Sequence, residues 1–98
     1  MKILKSKEEI ESLSGEYILF VHTKWSPPSV RLLESKELAE VQLPVYVLDA
    51  DEFPEYAQHV RGTPTLFWMD DEITKKWQTG YLPGATLSNL FELGTPDD

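Results

Sequence analysis

The sequence contains no cysteine. This absence excludes disulfide bonds, thiolate zinc sites and thiol nucleophiles, because each of them needs a sulfur atom that the chain does not supply. Histidine is also scarce, with two residues in the chain, and imidazole is the other side chain that commonly holds transition metals. We therefore expect neither a metal site nor a cofactor.

Basic residues are few as well, since nine lysines and arginines stand against 17 aspartates and glutamates and leave a net charge of -8. An acidic surface repels phosphate backbones and anionic lipids. No apolar run approaches the roughly 18 to 20 residues of a membrane span, and the N-terminal residues MKILKSKEEIE become charged before a signal-peptide core could form. We expect a cytoplasmic monomer without nucleic-acid or membrane partners.

The length and composition are those of one soluble globular unit. The chain has 98 residues, of which 41% are hydrophobic and 27% are charged, and a typical domain has about 100 to 150 residues. We expect a single domain spanning residues 1–98.

The apolar pattern predicts an α/β fold in which a parallel unit is followed by an antiparallel hairpin. The run from Tyr17 to Val21 shows no polar alternation, which is typical of a central strand covered on both faces. We expect one mixed sheet with helices on both faces. The predicted elements are a short apolar start at Ile3 and Leu4, strands at 17–21, 44–48, 66–69 and 73–78, and helices at 6–13, 27–40, 54–59 and 85–93.

Local signals support these boundaries. Ser6 and Glu9 have the spacing of a capping box at the start of the first helix. Ser26 is a residue type that caps helices, and Pro27 suits a first helical turn. The second helix is expected to turn four apolar residues toward the core, namely Val30, Leu33, Leu38 and Val41. The two tryptophans of the hairpin, Trp68 and Trp77, are expected to face each other or pack on the sheet.

Three motifs occur together: Trp25-Ser-Pro-Pro-Ser29, Val60-Arg-Gly-Thr-Pro-Thr65 and Gly80. In this order they resemble the thioredoxin family over essentially the whole chain. The first motif is similar to the Trp-Cys-x-x-Cys of that family with serine at both sulfur positions, and the second is similar to its loop with a cis-proline. The resemblance implies a thioredoxin fold.

It also implies an activity, namely thiol–disulfide exchange with protein disulfides. In such proteins a cysteine at the start of a helix attacks as a thiolate, and a second cysteine one turn later resolves the mixed disulfide. Ser26 stands at the position of the nucleophile and Ser29 at that of the resolving cysteine. A serine hydroxyl neither ionises near neutral pH nor forms a disulfide, so the chain as written is expected to be inactive.

The resemblance further implies a substrate groove. A cis bond before Pro64 would leave the Thr63 backbone free to pair with an extended substrate segment. The expected partners are protein disulfides and an electron donor of the thioredoxin-reductase type. The residues placed in the groove by the resemblance are Trp25, Pro27, Pro28, Gly62, Thr63 and Gly80.

The sequence departs from the family at Phe20. Many thioredoxins hold a buried acid at this position of the strand before the motif. A carboxylate-assisted proton transfer from this strand position is therefore not expected here.

Two explanations for the missing cysteines remain open. In the first, a native Trp-Cys-Pro-Pro-Cys enzyme has been converted by deliberate Cys-to-Ser replacement. In the second, the chain is a natural module that has lost redox function and binds peptides or serves as a structural domain. The choice of the nearest isostere at both positions favours the first, because the remaining residues of the site keep their form; these are Trp25, Pro28, Gly62, Pro64 and Gly80.

Other polar residues have simpler interpretations. A hydrolase pair of His22 and Ser26 would also need an orienting acid and an oxyanion hole, which the sequence does not indicate. His59 is expected to lie on the surface, and Lys24 is either an exposed charge or, in a dithiol form, an aid to thiolate stability. Three clustered acids lack the spacing of a calcium loop and are expected to be a solvated helix start; they are Asp49, Asp51 and Glu52.

Overall fold

The computed structural model describes residues 1–35, 38 and 43–80. In this part of the chain, five strands form one sheet in the order β1-β3-β2-β4-β5. β1, β2 and β3 are parallel, whereas β4 runs antiparallel to β2 and to β5. The predicted mixed α/β sheet is confirmed. Its elements are β1 (Lys2–Ile3), α1 (Lys7–Glu11), β2 (Glu16–His22), α2 (Pro27–Leu33), β3 (Val45–Asp49), a 3-10 helix (Pro54–Tyr56), β4 (Thr65–Asp70) and β5 (Ile73–Thr79).

The central strand β2 is covered on both faces, as its apolar run predicts. Successive side chains of a strand point to opposite faces, so β2 contributes to two separate hydrophobic clusters. The α2 face contains Ile18 and Phe20 with Leu32, whereas the α1 face contains Leu19 and Val21. Helices therefore pack on both sides of the sheet.

Helix α1 begins at the predicted cap but is shorter than predicted. The backbone N–H of Glu9 donates to the Ser6 hydroxyl at 3.2 Å, and the Glu9 carboxylate accepts from the N–H of Lys5 at 2.6 Å. The helix ends at Glu11, where the Ser12 hydroxyl donates to the Glu9 carbonyl oxygen at 2.9 Å. Such a local side-chain bond competes with continuation of the helix.

The predicted helix 27–40 is interrupted after Leu33, where α2 ends. The Ser35 hydroxyl donates to the Leu32 carbonyl oxygen and accepts from the N–H of Leu38, which is helical again, whereas positions 36, 37, 39 and 40 lie outside the described residues. Leu38 is buried as predicted and Leu33 packs against the same core cluster, Val30 is half-buried, and Leu32 is an additional buried residue. Val41 and the predicted helix 85–93 lie outside the described residues.

The helix predicted at 54–59 is a single turn of 3-10 helix (Pro54–Tyr56). Its backbone bonds close over three residues, from the N–H of Tyr56 to the carbonyl of Phe53 and from that of Ala57 to the carbonyl of Pro54. Val60 repeats this pattern with Ala57. The segment is thus a series of tight turns rather than an α-helix.

The hairpin tryptophans lie on opposite faces of the sheet. Trp68 packs against the α2 face, and the Lys75 ammonium lies 4.5 Å from its ring centroid. Trp77 pairs with Phe67 and is 64% exposed, so the expectation of core packing is wrong for Trp77. The register shift between Trp68 and Met69 inserts Lys75 as an extra residue in β5.

A turn residue ties the hairpin to the start of β2. Asp71 has a φ of 52°, its carboxylate accepts from the Gly15 N–H at 2.7 Å, and its own N–H donates to the Gly15 carbonyl at 2.8 Å. The hydroxyl of Tyr17 donates to the carbonyl oxygen of Asp71 at 3.1 Å. Asp and Asn tolerate this left-handed conformation better than most residues.

We expect Asp71→Ala to lower the free energy of unfolding by about 1–2 kcal/mol, through loss of the carboxylate bond and strain at positive φ. Asp71→Asn is the matched control because it keeps an acceptor oxygen and tolerates the same φ. Urea denaturation of both variants measures the difference. Equal stability of the alanine and asparagine variants would show that the turn does not depend on this side chain.

Candidate functional site

The candidate site lies at one edge of the sheet, where three strand ends meet. β2 and β3 are parallel and pair His22 with Asp49 at their carboxyl ends. β4 is antiparallel to β2 and begins at Thr65, opposite Val21. The loop before β4 and the start of α2 are therefore brought to the same edge.

Ser26 opens helix α2 beside the cis peptide bond between Thr63 and Pro64. Its carbonyl oxygen accepts from the Val30 N–H at 3.0 Å, which closes the first helical turn. Its hydroxyl, expected to cap the helix, donates instead to the Thr63 carbonyl oxygen at 3.3 Å. The adjacent Pro27 occupies the first helical position, where a missing N–H costs no helix bond.

Ser29 lies one turn into α2 and has no exposed surface. Its hydroxyl oxygen accepts from the Thr23 N–H at 3.1 Å and lies 3.0 Å from Nδ1 of His22. The Thr23 hydroxyl is in turn 2.8 Å from that of Thr63. Hydrogen bonds thus connect the end of β2, helix α2 and the cis-proline loop.

His22 faces Ser29 rather than Ser26. The side chain is 5% exposed and its ring centroid lies 5.5 Å from that of Phe20. Burial lowers the pKa of His22, and the nearby Asp49 carboxylate opposes this effect in part. The sequence contains a signal for this placement. Side chains two residues apart on a strand point to the same face, so His22 shares the α2 face of β2 with Phe20.

Asp49 is buried, so the expectation that the acidic cluster is fully solvated is wrong for this residue. It is 8% exposed, and its Oδ1 accepts from the N–H groups of Asp51 and Glu52 at 2.9 and 3.2 Å. Lys24 Nζ lies 4.0 Å from Oδ2. The carboxylate therefore holds the turn after β3, which explains why it is not free in solvent.

A groove with a volume of about 260 Å³ runs beside the motif. Trp25 is 73% exposed on its rim, with the indole N–H donating to the Asp51 carboxylate at 3.4 Å. The lining combines apolar and polar groups. Lining residues include Thr23, Trp25, Asp51, Arg61, Gly62 and Thr63.

The other residues of the expected groove are distributed around it. Pro27 is exposed and Pro28 half-buried at the start of α2. Gly80, with a φ of 96°, lies next to Pro64 because β4 and β5 are paired, and its N–H donates to the Pro64 carbonyl oxygen at 2.8 Å. Gly80 therefore supports the cis-proline loop rather than lining this groove.

The site presents two hydroxyls one helical turn apart. A hydroxyl at these positions can donate and accept hydrogen bonds but cannot exchange disulfides. Ser29, which contacts His22, is inaccessible, and the Ser26 hydroxyl donates to the Thr63 carbonyl oxygen. Neither residue therefore forms the accessible serine–base pair that a hydrolase needs.

The described residues show no group of three or more histidine, aspartate or glutamate side chains that could hold a metal ion. Among the helices within this part of the chain, none is long and apolar enough to cross a membrane. His59 is exposed, with its ring centroid 5.5 Å from that of Phe67.

Solved structures of thioredoxins share this architecture. The reduced thioredoxin pre-protein of Schistosoma mansoni is 19% identical, with a TM-score of 0.73 over 94% of this chain and 92% of that one. Mitochondrial thioredoxin 3 of Saccharomyces cerevisiae is 18% identical, with a TM-score of 0.73 over 94% of each chain. The thioredoxin of Malassezia sympodialis is 15% identical, with a TM-score of 0.70 over 97% and 91%.

Neither a protein-family model nor a curated protein matches the sequence. The structural likenesses nevertheless extend over nearly the whole of each chain. They show that this protein has the thioredoxin fold.

We expect Ser29→Ala to destabilise the protein by about 1–3 kcal/mol, because the buried Thr23 N–H loses its acceptor. Ser26→Ala is the matched control, since its hydroxyl makes a single longer bond and we expect a smaller effect. Urea denaturation compares the two variants. Equal losses would contradict the assignment of Ser29 as the better-bonded hydroxyl.

We also expect His22 to make the protein less stable in acid. Burial lowers its pKa, so the unfolded chain binds a proton more readily than the folded protein does. This contribution to stability is complete above the unfolded value of about 6.5 and is lost progressively as the pH falls below it.

Urea unfolding at pH 7.5 and 5.5 tests this expectation against His22→Asn. The unmodified protein is expected to lose more stability between pH 7.5 and 5.5 than His22→Asn does. Identical losses in the two proteins would show that protonation of His22 does not cause the acid sensitivity.

Proposed function

We propose that this chain is a member of the thioredoxin family in a redox-inactive form. Ser26 and Ser29 stand in for the nucleophilic and resolving cysteines of a thiol–disulfide oxidoreductase that acts on protein disulfides. The observation that carries the proposal is the hydrogen bond of 3.3 Å from the Ser26 hydroxyl to the Thr63 carbonyl oxygen, next to the cis bond at Pro64. It places the side chain at position 26 beside the segment where an extended substrate would lie.

The local electrostatics support the proposal. A side chain at position 26 lies at the start of α2, where helical N–H groups and the helix dipole favour a thiolate. Position 29 is one turn further and inaccessible to solvent, which suits a group that reacts with its neighbour rather than with external reagents. Both positions therefore have the environments that the two steps of disulfide exchange need.

The groove supports a polypeptide substrate. The exposed Trp25 ring lines this groove together with Gly62 and Thr63. An extended segment could lie against this backbone and present a disulfide to position 26. As part of the same proposal, the native enzyme with cysteines at positions 26 and 29 is cytoplasmic and receives electrons from a donor of the thioredoxin-reductase type. The present chain differs from it by Cys-to-Ser replacement at both positions.

A second candidate function is a natural, redox-inactive module that binds extended peptides. One observation favours it specifically: both hydroxyls have hydrogen-bond partners suited to oxygen, Thr63 for Ser26 and the pair Thr23 and His22 for Ser29. Serine is therefore well accommodated at both positions. In this function the groove alone would carry the activity.

We expect the double variant Ser26→Cys/Ser29→Cys to reduce the disulfides of insulin with dithiothreitol as the electron source, and the parent chain to remain inactive. The double variant restores both sulfur atoms at the geometry described above. Precipitation of the reduced insulin chain measures the rate.

The single variants are the matched controls. Ser26→Cys alone is expected to form a mixed disulfide that is not released, and Ser29→Cys alone to be inert because the position is buried. A double variant that folds but does not accelerate insulin reduction would overturn the oxidoreductase proposal. Binding of thiol-free extended peptides by the unmodified chain would then support the second candidate.

A further inference from the structure

His22 places a titratable base directly against the side chain at position 29. Nδ1 lies 3.0 Å from the Ser29 hydroxyl oxygen, and both side chains are buried, at 5% and 0% exposure. The contact bridges β2 and α2, so it depends on the packing of two separate elements. A neutral imidazole in this position can accept a proton that solvent cannot easily remove.

The hydrogen-bond network is compatible with donation from position 29 to His22. The Thr23 N–H donates to the Ser29 oxygen, and the hydroxyl hydrogen of Ser29 can then point at Nδ1. Nδ1 of a neutral ring accepts that hydrogen when the ring proton is on Nε2. In this tautomer an acid at position 29 donates to a base at position 22.

The alternation of side chains along β2 explains why His22 lies on the face of the sheet that meets α2. Phe20, at the position where the family resemblance leads one to expect a buried acid, lies in the α2-face cluster with no exposed surface. His22 follows two residues later on the same face of β2, and its ring contacts that of Phe20. On this face of β2, His22 therefore supplies the titratable side chain that Phe20 does not.

We propose that His22 is the general base for the resolving step of the dithiol form of this site. The inference rests on the proposed function, since it assigns a proton acceptor within the same two-step exchange. It identifies a catalytic residue that the motifs themselves do not include.

In the resolving step, the thiol at position 29 transfers its proton to Nδ1 of His22, and the resulting thiolate attacks the sulfur at position 26. The bond between that sulfur and the substrate sulfur breaks, and the substrate leaves as a thiolate that takes up the proton. Two electrons pass from the two thiols to the substrate disulfide, and an external dithiol restores the protein.

The groups around His22 keep it available as a base near neutral pH. Burial favours the neutral ring and Lys24 acts in the same sense, whereas Asp49 and Asp51 favour the cation; overall, the pKa of His22 is lowered. Phe20 and Ser29 contribute no net charge, although the Ser29 hydrogen bond acts in the same sense as the two carboxylates. The ring is therefore neutral more readily than a free imidazole, and a general base must be neutral before it can take a proton.

The reaction of Ser26→Cys/Ser29→Cys with 5,5′-dithiobis(2-nitrobenzoate) separates the two steps. The first release of coloured thiolate reports attack by position 26 and depends on reagent concentration. The second release reports resolution by position 29 and does not. This reagent reacts with thiols in general, so the test holds even if protein disulfides prove not to be substrates.

We expect His22→Phe in this background to slow the second release about 100-fold at neutral pH, within the range of general-base catalysis, and to leave the first unchanged. The difference should narrow as the pH rises beyond the value of about 8.5 for a free thiol, because a growing fraction of the thiol then ionises without the imidazole; burial at position 29 raises the pKa of the thiol, so the narrowing begins above that value. His22→Gln, which keeps a hydrogen-bonding group but has no titratable base, should be equally slow. His59→Asn is the control at the other histidine and should behave like the background protein.

A second release that is equally fast in His22→Phe, or slowed without convergence at high pH, would overturn the proposal. A second release in His22→Gln as fast as in the background protein would show that His22 acts through packing, and this result would also overturn the proposal of a general base. Circular dichroism of each variant shows that the fold is kept. Failure of insulin reduction with an intact second release would instead count against the proposed function alone.

Discussion

The placement of β2 between β3 and β4 is the constraint on which the rest of the site depends. Parallel pairing with β3 brings His22 next to Asp49, and antiparallel pairing with β4 brings the cis-proline loop to the same edge. A change of register by one residue would turn His22 to the other face of the sheet and separate it from Ser29. The hydrogen bonds among Ser26, Ser29, Thr23 and Thr63 follow from this pairing.

The two serines have different environments although they are one helical turn apart. At position 26 the hydroxyl donates to the carbonyl oxygen of Thr63, a residue that lines the groove. At position 29 the hydroxyl is enclosed and bonded to a backbone N–H and an imidazole. The inner hydroxyl is therefore tied more firmly into the structure than the outer one.

Much of the fold could be predicted from the sequence because its signals are local. The apolar run of β2, the cap at Ser6 and the hairpin after Pro64 each depend on a few adjacent residues. Helix ends were less predictable, since hydroxyls such as those of Ser12 and Ser35 bond to nearby carbonyls and end the regular pattern early. Propensity alone does not show this competition.

The candidate site was predictable in its motifs but not in its contacts. Ser26 precedes α2 as its local pattern predicts, and the bond before Pro64 is cis, whereas the burial of Asp49 and the contact of His22 with Ser29 depend on the pairing of distant strands. Trp77 was misassigned for a similar reason, because the face it occupies follows from its pairing with Phe67 across the hairpin. Long-range register decides such side-chain environments, and a single sequence does not contain it directly.

The extra residue in β5 has a consequence for association between molecules. Within the part of the chain that the structure describes, β5 is an edge strand, and such edges can recruit a strand from a second molecule. The bulge at Lys75 breaks the regular spacing of backbone donors and acceptors, and Lys76 adds a second positive charge beside it. The Lys75 ammonium itself is paired with the Glu16 carboxylate at 3.0 Å. An incoming strand would have to match an irregular ladder beside the charge of Lys76, so this edge resists aggregation by strand addition.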